Sequence, residues 1–330
     1  MSHPLLTVRD LTKHFPLKGG FLGRTRGVVQ AVDRVSFDVH EGETLGIVGE
    51  SGCGKSTTAR LLVRLIEPDR GEVTFDGATV GRRIAVRELR RQVQMVFQDS
   101  YSSLNPRLSA AASISYGPSV HGVARGPARE RAHTLLEAVG LEPGLFAGRY
   151  PHELSGGQRQ RINIARALAL EPRLIILDEA VSALDKSIGA QVLNLLSELK
   201  QRFHLTYVFI SHDLNVVRYV SDRVMVMYLG KVVEIGDVET LYRRPEHPYT
   251  RALLSAIPSM DPARRTLEAP LQGDPPNPIN PPSGCRFRTR CPLAEEICSR
   301  EEPRLAPFED PGHAVACHLA VAPSGSSRAA

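Results

Sequence analysis

Val35, Phe37 and Val39 alternate with polar neighbours, the period of a half-buried strand. The apolar run Thr44-Leu45-Gly46-Ile47-Val48 then leads straight into a glycine-rich loop. From Lys55 onward Ala59, Leu61, Leu62, Leu65 and Ile66 recur at helical spacing, and Pro68 follows the end of that pattern. This predicts a strand, a loop and a helix in direct succession. A second apolar run, Val93 to Phe97, ends at Gln98. Residues 99–150 are rich in Ser, Ala, Gly and Pro, with a helical stretch near Arg129 to Val139, and read as a helical insert. Beyond it the pattern predicts a helix through Arg166, Ala167 and Leu168, and a buried strand from Leu174 to Leu177. A helix from Ser187 to Arg202, a strand from Thr206 to Ile210 and strands near 223–235 follow. Alternation of this kind predicts an α/β domain. Pro and Gly dominate residues 270–284, which marks a linker, and the last stretch is a small tail with little apolar content of its own.

The chain has 330 residues, of which 42% are apolar, enough for one large domain and an appendage. The formal charge is 41 − 36 = +5 with no long polybasic block, which suits an anionic surface or a nucleic acid without selecting either. No apolar run approaches the ~18 residues of a membrane span, and the N-terminus lacks the layout of a signal peptide. A cytoplasmic protein is expected, reaching any membrane through a partner. Four of the five cysteines fall between residues 285 and 317, and in a reducing compartment such a cluster points to metal rather than disulfides.

The loop Gly49-Glu50-Ser51-Gly52-Cys53-Gly54-Lys55-Ser56-Thr57 has the chemistry of a phosphate cradle. Glycines 49, 52 and 54 let backbone N–H groups close around phosphate oxygens, and the following helix adds its positive end. Lys55 can reach the β- and γ-phosphates, and the Ser56 hydroxyl can ligate Mg²⁺. Asp178 ends the buried strand, suited to holding Mg²⁺ through water. Glu179, next to it, is placed to act on the attacking water as general base or water-orienting group. Between these motifs lies Leu154-Ser155-Gly156-Gly157-Gln158, a helix start offering free N–H groups and a hydroxyl to an anion.

The three motifs in this order resemble the ATP-binding cassette family. The resemblance implies an ATPase with a RecA-like core, an antiparallel β subdomain and a helical subdomain at about 99–168, together spanning 1–258, with a Pro-rich linker and Cys-rich extension over 259–330. By the same resemblance His212 contacts the γ-phosphate, Gln98 ligates Mg²⁺ and senses the membrane partner, and Phe15 stacks on adenine. Asp185 lies in the loop that crosses a dimer interface, and Ser155, Gly156, Gly157 and Gln158 close over ATP held by the partner subunit. A basic, glycine-rich insert at 16–27 departs from the short hairpin usual after the stacking aromatic.

The segment after Gln98 through Pro106, the run from Leu241 through His247-Pro248-Tyr249 to Leu254 and Pro258, and the cysteine tail resemble the oligopeptide and dipeptide importer branch. That branch implies a second, related ATPase as partner (a heterodimer), two membrane permease subunits and an extracytoplasmic binding protein, with the chain peripheral at the cytoplasmic face of the inner membrane. Import of a nickel chelate or glutathione by the same engine, and a soluble cassette ATPase acting on nucleic acid, are the alternatives. One cassette without coiled-coil or zinc-finger insertions argues against the last, and no nucleic-acid partner is expected.

Cys285, Cys291, Cys298 and Cys317 are spaced too widely for the close Cys pairs of a structural zinc site. Dispersed loop thiolates suit a [4Fe–4S] cluster, which some members of the branch carry. His313 and His318 beside Cys317 keep a mixed Cys/His zinc site as the alternative, and unligated thiols are a third reading.

Overall fold

The structure is a computed structural model that describes residues 3–19, 24–257, 277–308 and 310–320. Residues 20–23 of the expected insert, Pro258 and residues 259–276, which include the first part of the expected linker, lie outside the described residues. Strands β1 (Leu6–Gly19) and β2 (Arg24–Val39) precede β3 (Thr44–Val48) and helix α1 (Lys55–Leu62). Next come β4 (Arg70–Phe75), β5 (Ala78–Thr79), α2 (Val86–Gln92) and β6 (Val93–Val96). The helical insert contains α3 (Ala110–Val120), α4 (Arg125–Ala138) and α5 (Pro143–Phe146). It is followed by α6 (Gly156–Leu168), β7 (Leu174–Asp178), α7 (Lys186–Phe203), β8 (Thr206–Ile210) and α8 (Leu214–Val220). The chain continues through β9 (Arg223–Tyr228), β10 (Lys231–Asp237), α9 (Val238–Arg243) and α10 (Pro248–Ser255). The tail adds α11 (Ile297–Arg300), β11 (Ala306–Phe308) and β12 (Asp310–Val315). Among the described residues no helix is long and apolar enough to cross a membrane.

These elements form two compact units. One is built from Met1–Leu6, Val39–Thr44 and Thr74–Ser211. In it β6, β7 and β8 run parallel, with Val93 opposite Leu174 and Leu174 opposite Thr206. Every residue of β7 and β8 is buried, which is why both read as continuous apolar runs rather than alternating ones. Helix α3 packs on α4 and on α6 in the helical insert. Ser109, whose hydroxyl accepts the Ala112 N–H, opens α3 where the sequence pattern showed only small residues.

The other unit is built from Thr7–Asp38, Leu45–Val73 and His212–Ala330, so the phosphate-loop segment and the tail fold together. Here β3 pairs parallel with β9, and β9 turns back antiparallel into β10. Leu229 at φ +43° and Gly230 at φ +80° make that two-residue turn, the backbone a tight hairpin of this hand requires. Helix α1 stops earlier than its apolar spacing predicts. Arg64 adopts φ +55°, and the Arg64 and Leu65 amides return to the Leu61 and Arg60 carbonyls at 3.1 and 2.9 Å, a Schellman close. Leu65 is consequently exposed.

The sequence predicts a tail too polar to fold by burial alone; the structure holds it by strand addition and charge. Strand β12 pairs antiparallel with β10, Glu234 opposite Val315 and Ile235 opposite Ala314, and β11 pairs with β12. Phe287, Phe308, Val315 and Ala316 are buried. Glu302 takes Arg34 and Lys231, each at 2.6 Å, and Asp33 takes Arg286 at 2.5 Å and Lys231 at 2.8 Å. Burial alone would raise the Asp33 carboxyl, but Lys231, Arg286 and Arg34 together hold it below its ordinary range. Glu234, fully buried, accepts the Glu246 and His247 amides at 2.8 and 3.1 Å and His313 Nε2 at 2.8 Å.

Candidate nucleotide site

In the unit that carries the phosphate loop, β3 ends at Val48 and the chain turns through Gly49, Gly52 and Gly54 at φ +148°, +78° and +105°. Two of these glycines are forced by contact as well as by conformation. A Cβ on Gly49 would stand 2.2 Å from the Met227 carbonyl oxygen, and one on Gly54 would stand 2.1 Å from that of Ala31. Gly54 leads into α1 as an N-cap that makes no side-chain cap bond, at a helix start whose positive end favours an anion. Lys55 is buried and donates to the Gly49 and Glu50 carbonyls at 2.7 and 3.0 Å, holding its ammonium inside the curl of the loop. This cradle fits a polyphosphate. Cys53 is buried beside it, its thiol pushed up by burial, and its carbonyl accepts the Gly230 N–H at 2.8 Å. Ser51 is exposed, and Ser56 and Thr57 are half-buried on the first turn of α1.

Phe15 is half-buried in β1 with the Lys13 ammonium 5.5 Å from its ring centre. His212 is exposed just ahead of α8, whose cap is Asp213, accepting the Asn215 N–H at 2.9 Å and the Val216 N–H at 3.3 Å.

In the other unit Asp178 ends β7 buried, opposite Ile210 in register. Glu179 takes φ +49°, a left-handed conformation costly for a residue with a side chain. It is fixed there by its own N–H to the Ile210 carbonyl at 2.9 Å and by the Ser182 N–H and hydroxyl on its carbonyl at 3.2 and 2.9 Å. Gln98 Nε2 donates to the Glu179 carboxylate at 2.7 Å, so residues 81 apart in sequence meet at one oxygen. Asp185 is exposed at the start of α7, where its carbonyl accepts the Gly189 N–H at 2.7 Å.

The signature segment is built by a capping box. Ser155 Oγ accepts the Gln158 N–H at 3.3 Å, and Gln158 Oε1 accepts the Ser155 N–H at 2.9 Å. A Cβ on Gly157 would lie 2.6 Å from Ile188 Cγ2, so this glycine lets α7 approach closely. Two residues of α6 escaped the sequence reading. Asn163 donates to the Ser100 carbonyl at 3.0 Å and accepts from the Ser103 hydroxyl at 3.1 Å, and Arg166 bonds the Ser103 carbonyl. They tie the segment following Gln98 to the signature helix. Their one trace in the sequence is a polar Asn between Ile162 and Ile164.

The metal expectation for the tail is not met. All five cysteines are free, and among the described residues no three His, Cys, Asp or Glu side chains form a group that could hold a metal ion. The four tail thiols lie close enough to influence one another. Burial, with the other three adding, pushes Cys285 up to about 11, and burial raises Cys291 as well. The histidines of the zinc alternative are engaged elsewhere, His313 with Glu234 at 2.8 Å and His318 with the Glu301 carbonyl at 3.0 Å. These residues, as placed, do not fit a [4Fe–4S] or zinc centre.

A glycine cradle opening a helix, a carboxylate pair closing a buried strand and a capped signature helix define the ATP-binding cassette class of ATPase. Residues 32–182 match the family described as ABC transporter, and residues 233–298 match the oligopeptide/dipeptide transporter C-terminal region. The chain is 54% identical over 322 residues to a probable peptide ABC transporter ATP-binding protein of Sinorhizobium fredii, covering 97% of this chain and 91% of that one. It is 51% identical to the oligopeptide transport ATP-binding protein AppF of Bacillus subtilis, covering 96% of this chain and 97% of that one. A solved dimeric ATP-binding cassette in a post-hydrolysis state, bound to ADP and Pi, superposes with a TM-score of 0.61 at 29% identity, over 71% of this chain and 98% of that one. The chain belongs to the family of peptide ABC transporter ATP-binding proteins.

Proposed function

We propose that this chain hydrolyses ATP to drive import of oligopeptides or dipeptides, working with a second, related ATPase, two permease subunits and an extracytoplasmic binding protein. The observation that carries the reading is the likeness to peptide-transport ATPases along 97% of the chain, together with the match of its C-terminal region to the oligopeptide/dipeptide transporter family. The chain sits at the cytoplasmic face of the inner membrane through its permease partners.

In this reading the amides of Gly52, Cys53, Gly54, Lys55, Ser56 and Thr57 bind the phosphates, with Gly49 and Ser51 shaping the loop. Lys55 moves from its carbonyl partners to the β- and γ-oxygens. Phe15 takes the adenine. Ser56, Gln98 and Asp178 hold Mg²⁺, which when bound neutralises charge on the β- and γ-phosphates. Glu179 receives the proton of the attacking water, and His212 holds the γ-phosphate side of the site. The bond between Gln98 and the Glu179 carboxylate gives this base a defined resting partner. Ser155, Gly156, Gly157 and Gln158 meet ATP on the partner subunit, and Asp185 lies at that junction.

The reading is tested with the Glu179→Gln variant. Turnover, followed as phosphate release, is expected to fall by about 10²–10⁴-fold while MgATP binding is retained; undiminished hydrolysis would remove Glu179 as the base. Purification of the chain from its native membranes tests the partners: recovery with permease subunits and a peptide-binding protein supports transport, and recovery with nucleic acid overturns it.

A further inference from the structure

Glu50, the second residue of the phosphate loop, is gripped from two sides by segments far away in sequence. Its backbone N–H donates to the Tyr249 hydroxyl of α10 at 2.9 Å. Its carboxylate accepts both ends of the Arg290 guanidinium, Nη1 at 2.8 Å and Nη2 at 3.1 Å. The Arg290 side chain is only 5% exposed and that of Glu50 25%, so this fork is shielded from solvent and stronger than a surface pair.

Arg290 is itself held in place. Its N–H returns to the Phe287 carbonyl at 2.9 Å in the turn that begins at Cys285. The Phe287 ring packs on Tyr228 and Tyr249 with centres 5.3 and 5.4 Å apart, and Arg286 pairs with Asp33 at 2.5 Å. The guanidinium therefore reaches the loop from a docked turn, not from a mobile end.

A carboxylate inside a phosphate-binding loop is an electrostatic fault unless it is neutralised, because a triphosphate brings several negative charges to the same amides. We propose that Arg290 of the C-terminal tail is a positioning residue for nucleotide binding, neutralising Glu50 and fixing the phosphate loop in its receptive shape. The tail is thereby part of the nucleotide-binding apparatus, and any event that undocks the turn at 285–291 lowers the affinity of the loop for phosphate. This rests on the ATPase reading above.

The test uses the full chain carrying Glu179→Gln, so that MgATP is bound but not consumed, with affinity measured by titration calorimetry and folding by thermal melting. Arg290→Met is expected to weaken MgATP binding about tenfold. Adding Glu50→Gln to that variant removes the stranded carboxylate and is expected to recover most of the loss. A role confined to docking the tail would lower the melting temperature without that recovery. MgATP affinity unchanged in Arg290→Met, or a loss that Glu50→Gln does not repair, overturns the proposal. Should Arg290→Met not fold, Arg290→Gln carries the same test, since it removes the charge while keeping a polar side chain in the docked turn. If the parent binds no MgATP, the nucleotide reading falls and this proposal with it; a parent that binds while the Arg290 variants bind equally well removes this proposal alone.

Discussion

Helix α1 begins after Gly54, at φ +105°, an N-cap that makes no side-chain cap bond. Helix α6 begins after Ser155, whose hydroxyl and backbone are both engaged with Gln158 at 3.3 and 2.9 Å. A third start, that of α10, is closed by an imidazole: His247 Nδ1 accepts the Tyr249 N–H at 3.0 Å. Every helix leaves its first amides without intrahelical partners, and these three ends meet that need differently. The open end suits a chain that supplies the anion from outside. The Ser–Gln end satisfies the Ser155 and Gln158 amides by itself, so whatever docks on it meets a helix already formed. The His247 end belongs to the core of the tail-bearing unit.

The largest effect separating them is expected at the open end. Gly54→Ala places a Cβ against a backbone carbonyl in a conformation that alanine resists, and MgATP affinity is expected to fall at least about a hundredfold. Lys55→Ala, which removes the buried ammonium from the loop, is expected to lose a comparable amount. Titration of the purified variants with MgATP checks both, and affinity within a few-fold of the parent would mean that the open start is not a phosphate site.

The imidazole cap should show itself through pH. Burial holds His247 down at about 4, well below its ordinary 6.5, so the folded protein keeps the ring neutral while the unfolded chain takes up a proton. Stability from this group is full above about 6.5 and is lost as pH falls toward about 4, a few kcal/mol over the window. Denaturant midpoints measured between pH 7 and pH 4.5 are expected to decline, and to decline less steeply in His247→Asn, which keeps a short acceptor without titrating. Equal slopes would place the acid sensitivity on other groups.

Smaller effects belong to the signature start. Ser155→Ala removes one half of the capping box and is expected to cost about 1 kcal/mol, read as a fall of roughly 2–4 °C in melting temperature, with MgATP binding to the phosphate loop of the same chain unchanged. Gly157→Ala is expected to change stability least. Its Cβ meets only the Ile188 methyl at 2.6 Å, a side chain able to turn aside, and the helix propensity gained by alanine, about 0.8–1 kcal/mol, offsets the crowding. A large loss there would show that the approach of α7 to α6 is tighter than this side-chain contact.

Much of this architecture was legible from pattern alone. Strands buried on both faces announce themselves as apolar runs, and β3, β7 and β8 stand where Thr44–Val48, Leu174–Leu177 and Thr206–Ile210 predicted them. The glycine-rich turn after β3 and the capped helix start at Ser155 were legible because each is built from consecutive residues. The end of α1 was missed because Leu65 and Ile66 continue the helical period while Arg64 takes the left-handed backbone, a choice made by the turn and not by hydrophobicity. The tail misled for a different reason. Cysteine spacing carries the strongest metal signal in the chain, whereas the forces that hold the segment are a strand pairing with β10 and ion pairs to Asp33, Lys231 and Glu50.

The sequence by itself determined the α/β alternation, the glycine-rich turn into α1, the Asp178–Glu179 strand end and the helix start at Ser155, because each is set by neighbours along the chain through backbone conformation and period. Only the tertiary structure decided that Gln98 rests on Glu179, that Asn163 and Arg166 hold the loop after Gln98, and that Arg290 answers the charge of Glu50 across 240 residues of sequence. Side-chain pairs of that kind leave no periodic trace. A charge looks the same in sequence whether it faces solvent or a buried partner, and the packing of distant segments makes the difference.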